Sequence, residues 1–196
     1  MANIVTKVGS ATSPRPDHDA GRGIVVTHLA NNAGKWGAGF VLAVNDLCPA
    51  PKAAYQGLAA AFKAEGTLIP YGTSQLVETH IGGMYVANII AQRMKNQNDP
   101  DDVCLVDYPS LQGGLTDVFL QAARLNCDIH IPSGIGAGLA GGVQLTIHEL
   151  IERAAALAEQ ESLPSHSVNI TLWDYQDTTS NSYIDVGGSD RSLEED

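Results

Sequence analysis

With 196 residues, 44% of them hydrophobic and 17% charged, the chain is long enough for one globular domain with a sizeable core. Its formal charge of -11 argues against nonspecific binding to nucleic acid or anionic lipid, so any anionic ligand must be held by local groups rather than by bulk positive charge. No run approaches the roughly 18 apolar residues of a membrane helix and the N-terminus lacks a signal pattern, so no membrane partner and a cytoplasmic location are expected.

In chain order, "NIVTKV" reads as an early strand, followed by a Pro/Asp/Gly-rich loop that is either a surface insertion or part of a ligand cleft. "GIVVTHLA", residues 23–30, is a β-branched apolar run that predicts a strand covered on both faces. The glycine-rich "NNAGKWGAGF" follows it, and "FVLAVNDL" then predicts a short helix ended by Pro49 to Pro51. A second helix is expected from Pro51 to Glu65, where Tyr55, Leu58, Ala59 and Phe62 share a face.

After "TLIPYG", the run "MYVANIIAQ" is apolar enough for a central strand, and Leu111, Leu115, Val118, Phe119 and Ala122 recur at helical spacing. "CDIHIP" predicts a third core strand and leads into a second glycine loop, "SGIGAGLAGG". Residues 143–161 predict the longest amphipathic helix, and "VNITLWDY" a last strand. The stretch 176–196 is acidic and lacks periodicity, which predicts a disordered tail after a domain spanning residues 1–175. The alternation of strands and helices predicts an α/β/α three-layer fold with a mixed, largely parallel central sheet.

Both glycine clusters occupy the exit of an apolar strand, and in a parallel sheet such exits share the carboxyl edge, where ligands bind in open α/β folds. Glycine there lets backbone N–H groups approach a phosphate closely. Neither cluster fits the Walker spacing, and Gly34, Gly37 and Gly39 have the wrong intervals for the dinucleotide fingerprint. The three cysteines, Cys48, Cys104 and Cys127, are odd in number and widely spaced, and read as core residues. "HELIE" at His148 lacks the second histidine of a zinc motif, and His130 on its strand reads as buried, so no metal and no cofactor are expected. Ser133 has no nucleophile elbow around it.

"HLANNAGKWGAGFV" and "HIPSGIGAGLAGG" resemble the two ligand loops of macro domains, the fold that binds ADP-ribose, with "KVGSATSP", "YVANIIAQ" and "NITLWDY" in matching order over roughly residues 3–175. The resemblance lies nearest the branch of ADP-ribose 1″-phosphate phosphatases and terminal ADP-ribose glycohydrolases. It implies that Asn31, beside Asn32, holds the distal ribose, and that Gly37, Ala38 and Gly39 line ribose and diphosphate. Ser133, Gly134, Ile135, Gly136, Ala137, Gly138 and Leu139 would wrap the phosphates from the other side. Trp36 is either a flat wall beside the ribose or a plug between loop and helix.

Ser10 and Ala11 stand at the first strand's exit, where many macro domains carry an Asp for adenine, and Trp173 or Tyr175 would either stack on the base or sit in the core. The resemblance also implies catalysis by His28 with Asn31, the alternative for His28 being a structural histidine bonded to backbone. A lysine-linked intermediate is not implied, because Gln92 or Arg93 and Ala140 occupy the corresponding places. The expected ligand is ADP-ribose or a derivative, with ADP-ribosylated macromolecules as further partners. Two activities remain open: hydrolysis of such a ligand, or noncatalytic reading of it.

Overall fold

The computed structural model of the chain describes residues 3–99, 101–161 and 168–175; the acidic stretch 176–196 lies outside them. Ten elements follow in order: β1 (Asn3–Val8), β2 (Gly23–Asn31), α1 (Val41–Leu47), α2 (Ala50–Ala64), β3 (Ser74–Glu78), β4 (Met84–Gln92), α3 (Tyr108–Arg124), β5 (Cys127–Pro132), α4 (Gln144–Glu161) and β6 (Asn169–Asp174). They form a six-stranded sheet in the order β1-β6-β5-β2-β4-β3, parallel except for β3 against β4.

The central strands are apolar throughout because both faces are covered. Val25 of β2, Ile89 of β4 and Ile129 of β5 face Leu111, Leu115, Phe119, Ile147 and Ile151 of α3 and α4 in the larger core cluster. On the opposite face, Ile24, Val26, Met84 and Val86 pack under Val44 of α1, while Ala30 and Ile90 pack against Tyr55 of α2. The predicted helical face of α3 is the one buried, and its start is fixed by the Asp107 carboxylate accepting from Ser110 N at 2.9 Å, with Pro109 in the first turn.

β3 is the element the periodicity misses. It lies just beyond "TLIPYG", and as an antiparallel edge strand of partly exposed residues, "SQLVE", it carries no apolar run to announce it. The long loop after β1 is largely exposed or half-buried and touches a cavity at its start. Since β1 and β2 run in the same direction, the loop returns the chain from the carboxyl to the amino edge of the sheet. It begins in the cleft described below, at Gly9 to Ala11, and ends with the Arg22–Asp128 ion pair and the Asp17–Arg22 bridge beside the start of β2.

Candidate functional site

Two adjoining cavities open at the carboxyl edge of the parallel strands. The larger, about 540 Å³, is lined by Gly9, Ser10 and Ala11 after β1, by Trp173, Asp174 and Tyr175 at the end of β6, by Leu42 and Ala43 of α1, and by Ser133 and Gln144. The smaller, about 250 Å³, lies between the two glycine loops, with His28, Leu29 and Gln92 in its wall. Gly39, Phe40, Pro132 and Gly134 line both, so the two spaces form one cleft.

The first loop is braced from within. The Asn31 side chain accepts from Ala33 N at 3.0 Å, Lys35 N at 3.1 Å and the Tyr55 hydroxyl at 2.9 Å, and donates to Lys35 O at 2.6 Å. Asn32 joins the sheet through its backbone, donating to Gln92 O at 2.9 Å. Trp36 donates its indole N–H to Val41 O at 3.1 Å and packs edge-on to His28 and obliquely on Tyr55, so its side chain fills the space between the loop and the helices. What the loop offers to the cleft is backbone: the N–H groups of Ala38, Gly39 and Phe40 find no protein acceptor among the described residues.

Hydrogen bonding alternates in the second loop. Ser133, Ile135 and Ala137 donate to Trp173 O, Pro132 O and Gly134 O, whereas the amides of Gly134, Gly136 and Gly138, like those of Leu139 and Ala140 after them, have no protein acceptor among the described residues. Those three glycines line the cleft. The loop rests on the segment before α3: Leu105 N donates to Ala140 O at 2.8 Å, and the Tyr108 hydroxyl accepts from Val143 N at 2.9 Å. That segment is itself clamped, because the Asp102 carboxylate pairs with Arg93 and accepts from Asn96 N at 2.6 Å. The Arg93 hydrogen bonds hold the Asp102 carboxyl down at about 2. Unpartnered amides thus stand on both sides of the smaller cavity, and no Lys or Arg lines either space.

Two buried histidines lie at the walls: His28 lines the smaller cavity itself, and His130 stands behind Trp173 of the larger. His28, 2% exposed, pairs in register with Asn88 of β4, and its Nε2 lies 2.6 Å from Asn88 Oδ1. Asn88 Nδ2 donates to Pro51 O at 3.1 Å and to Gln75 Oε1 at 3.0 Å, so Oδ1 faces Nε2 of His28 as an acceptor, while Nδ1 of the same ring lies 3.2 Å from Leu29 O, the backbone bond of a structural histidine. Burial lowers the affinity of this imidazole for a second proton. His130, 8% exposed, accepts the Trp173 indole N–H on Nδ1 at 2.8 Å, and burial pushes its pKa down to about 4. Among the described residues no group of three or more His, Cys, Asp or Glu gathers as a metal site, and no helix is long and apolar enough to cross a membrane.

Of the residues singled out from the sequence, Ser10, Ala11, Ser133 and Trp173 line the larger cavity, and His28, Ala38, Ile135, Gly136, Gly138 and Leu139 the smaller, with Gly39 and Gly134 in both. Asn31, Asn32, Trp36, Gly37 and Ala137 line neither; the side chains of Asn31 and Trp36 brace the first loop instead. Sequence reasoning missed Phe40, Leu42, Gln144 and Asp174, which reach the cleft from α1, α4 and the end of β6. The signal available for Asp174 was its position at a strand exit in the same parallel sheet.

No protein-family model and no curated protein matches the sequence. Solved structures do match. A Bacteroides thetaiotaomicron protein described as of unknown function is 28% identical, with 88% of this chain and 98% of that one covered and a TM-score of 0.72. A macrodomain protein from Streptomyces coelicolor is 27% identical over 89% of this chain and 100% of that one, TM-score 0.68. Thermosipho africanus DarTG, solved in complex with ADP-ribose, is 14% identical over 90% of this chain and 42% of that one, TM-score 0.62. A largely parallel six-stranded sheet between helix pairs, with its cleft at the carboxyl edge and these likenesses in solved structures, gives the chain the macro domain fold.

Proposed function

We propose that the cleft binds ADP-ribose or a close derivative, with the diphosphate between the two glycine loops and the distal ribose in the smaller cavity. The observation that carries this reading is a set of unpaired amides in both loops: those of Gly134, Gly136 and Gly138 lack protein acceptors, as do those of Ala38, Gly39 and Phe40, and all six residues line the smaller cavity. A cradle of amide dipoles is how an acidic protein without a cationic side chain in its cleft can hold an anion. A structural neighbour of this fold is solved with ADP-ribose, which supports the choice of ligand.

The larger cavity takes the base, with the Trp173 ring as its apolar wall. Ser10 brings a hydroxyl there, held at 2.9 Å from Thr12 Oγ1, and Asp174 brings a carboxylate, the single charged side chain lining either cavity. Asp174 is exposed, so its carboxylate is hydrated in the free protein, but beside an anionic ligand it repels unless it meets a donor, and it is assigned to the exocyclic amine of adenine. Asn31 serves the ribose through the loop it braces. The cleft is open at this edge, and ADP-ribose carried on a macromolecule is a further ligand class.

Calorimetry with ADP-ribose on the parent and on Gly134→Glu tests the reading. A side chain at Gly134 meets no atom within 4 Å and enters the space shared by both cavities, so the variant keeps its melting temperature and loses at least about a hundredfold in affinity. Equal affinities would remove the proposal.

Hydrolysis is the second reading, favoured by one observation: the imidazole of His28, whose pKa burial lowers, lines the smaller cavity. Incubation with ADP-ribose 1″-phosphate and with ADP-ribosylated protein separates the two. Product that disappears in His28→Ala supports the enzyme; tight binding without product supports the reader.

A further inference from the structure

The imidazole of His130 has a geometry that core packing alone does not require. It sits on β5 with its Nδ1 2.8 Å from the Trp173 indole nitrogen and the two rings 5.8 Å apart. An indole N–H only donates, so Nδ1 must carry a lone pair and the proton must be on Nε2. Trp173 is in turn enclosed on its other sides. A Cβ added at Gly9 would lie 3.2 Å from its ring, Lys7 Nζ stands 6.0 Å from the ring centre, and the open side faces the larger cavity.

We propose that His130 is a positioning residue for the base end of the cleft: by accepting the indole N–H it fixes the plane against which a flat heteroaromatic ring packs. This rests on the reading that the larger cavity takes the base. Without the acceptor, a partly buried indole N–H would be left unpaired, and the ring would turn to find water or another carbonyl. Its face would then no longer be parallel to the incoming base. The neutrality of His130 agrees with this role, since a doubly protonated ring could not accept; burial opposes that second proton, while Asp128 on the same strand favours it and Lys7 opposes it. The diphosphate cradle lies in the other loops and does not depend on the indole, so the two halves of the ligand should report separately.

The test measures affinity for ADP-ribose and for inorganic pyrophosphate in the parent, His130→Leu and His130→Asn, together with the near-ultraviolet circular dichroism of the indole. His130→Leu should lose about tenfold for ADP-ribose and nothing for pyrophosphate, with a changed indole band. His130→Asn, whose amide oxygen can stand in for Nδ1, should recover both signals. If His130→Leu does not fold, Trp173→Phe carries the comparison, with the same selective loss expected because the pinned plane is gone. Unchanged ADP-ribose affinity in His130→Leu, equal loss for both ligands, or no recovery in His130→Asn would each overturn the role of His130 while leaving ADP-ribose binding in place. A parent protein that binds ADP-ribose no more tightly than pyrophosphate would instead remove the base-end reading, and this inference with it.

Discussion

At the scale of single residues, the cleft is lined by unpaired backbone amides and mostly uncharged side chains, which makes its one acidic side chain informative. Asp174 follows Trp173 at the end of β6, and its exposed carboxylate accepts a long hydrogen bond, 3.4 Å, from the Ser133 hydroxyl, which leaves room for another donor. If it accepts from an exocyclic amine, the cleft prefers ADP-ribose to the analogue with hypoxanthine, whose oxo group would face the carboxylate. Asp174→Asn should shrink that preference by about tenfold, since the amide can serve either base. Competition titrations with the two dinucleotides read this directly, and an unchanged ratio would take Asp174 out of base recognition. Two other residues show the limit of reading side chains from sequence. Asn31 and Trp36 lie in the loop that a glycine-rich pattern marks, yet the pattern says nothing of which way a side chain turns. Their hydrogen bonds to Lys35 and Val41 show that both serve the loop's own shape.

At the scale of elements, the second glycine loop depends on the segment that backs it. Gly141, at φ +65, lies so close to Val103 that an added Cβ would fall 1.8 Å from the carbonyl oxygen, and Leu105 N donates to Ala140 O beside it. Gly138, by contrast, has open space where its side chain would be. Gly141→Ala should therefore cost at least about 2 kcal/mol and Gly138→Ala less than about 0.5 kcal/mol in urea unfolding, and similar costs would argue against this packing. The helices and central strands were legible because each has an apolar face or run with the correct period, as in Leu111 to Ala122. β3 was not, because an edge strand that is only partly buried along its length needs no such run. The cleft was legible where two glycine loops follow buried strands. Its remaining walls, from Leu42 and Gln144, are set by how α1 and α4 approach the sheet, which local pattern does not encode.

At the scale of the molecule, the two buried histidines tie stability to pH. His130 titrates at about 4 when folded and near 6.5 when exposed, and His28 is shifted in the same direction, mainly by burial in both cases. As pH falls below about 6.5, the unfolded chain takes up protons that the folded chain refuses, so stability declines from there toward about pH 4. The carboxylates of Asp102 and Asp128, both held below 3.8 by their arginine partners, add their own loss only at lower pH. Chemical denaturation at pH 7 and at pH 5 should show the parent losing stability, and His130→Asn losing less of it over the same interval. A parent whose stability is flat across that window would mean that the imidazoles are not buried as described.

The central claim is that two sets of backbone amides hold a diphosphate in a cleft without cationic side chains. Nitrogen-15 NMR of the labelled protein titrated with ADP-ribose follows those amides individually. The account predicts that the largest shifts fall on Gly39, Phe40, Gly134, Gly136 and Gly138, and that pyrophosphate alone moves the same set. Shifts centred elsewhere, or ADP-ribose binding that leaves these five signals in place, would contradict it.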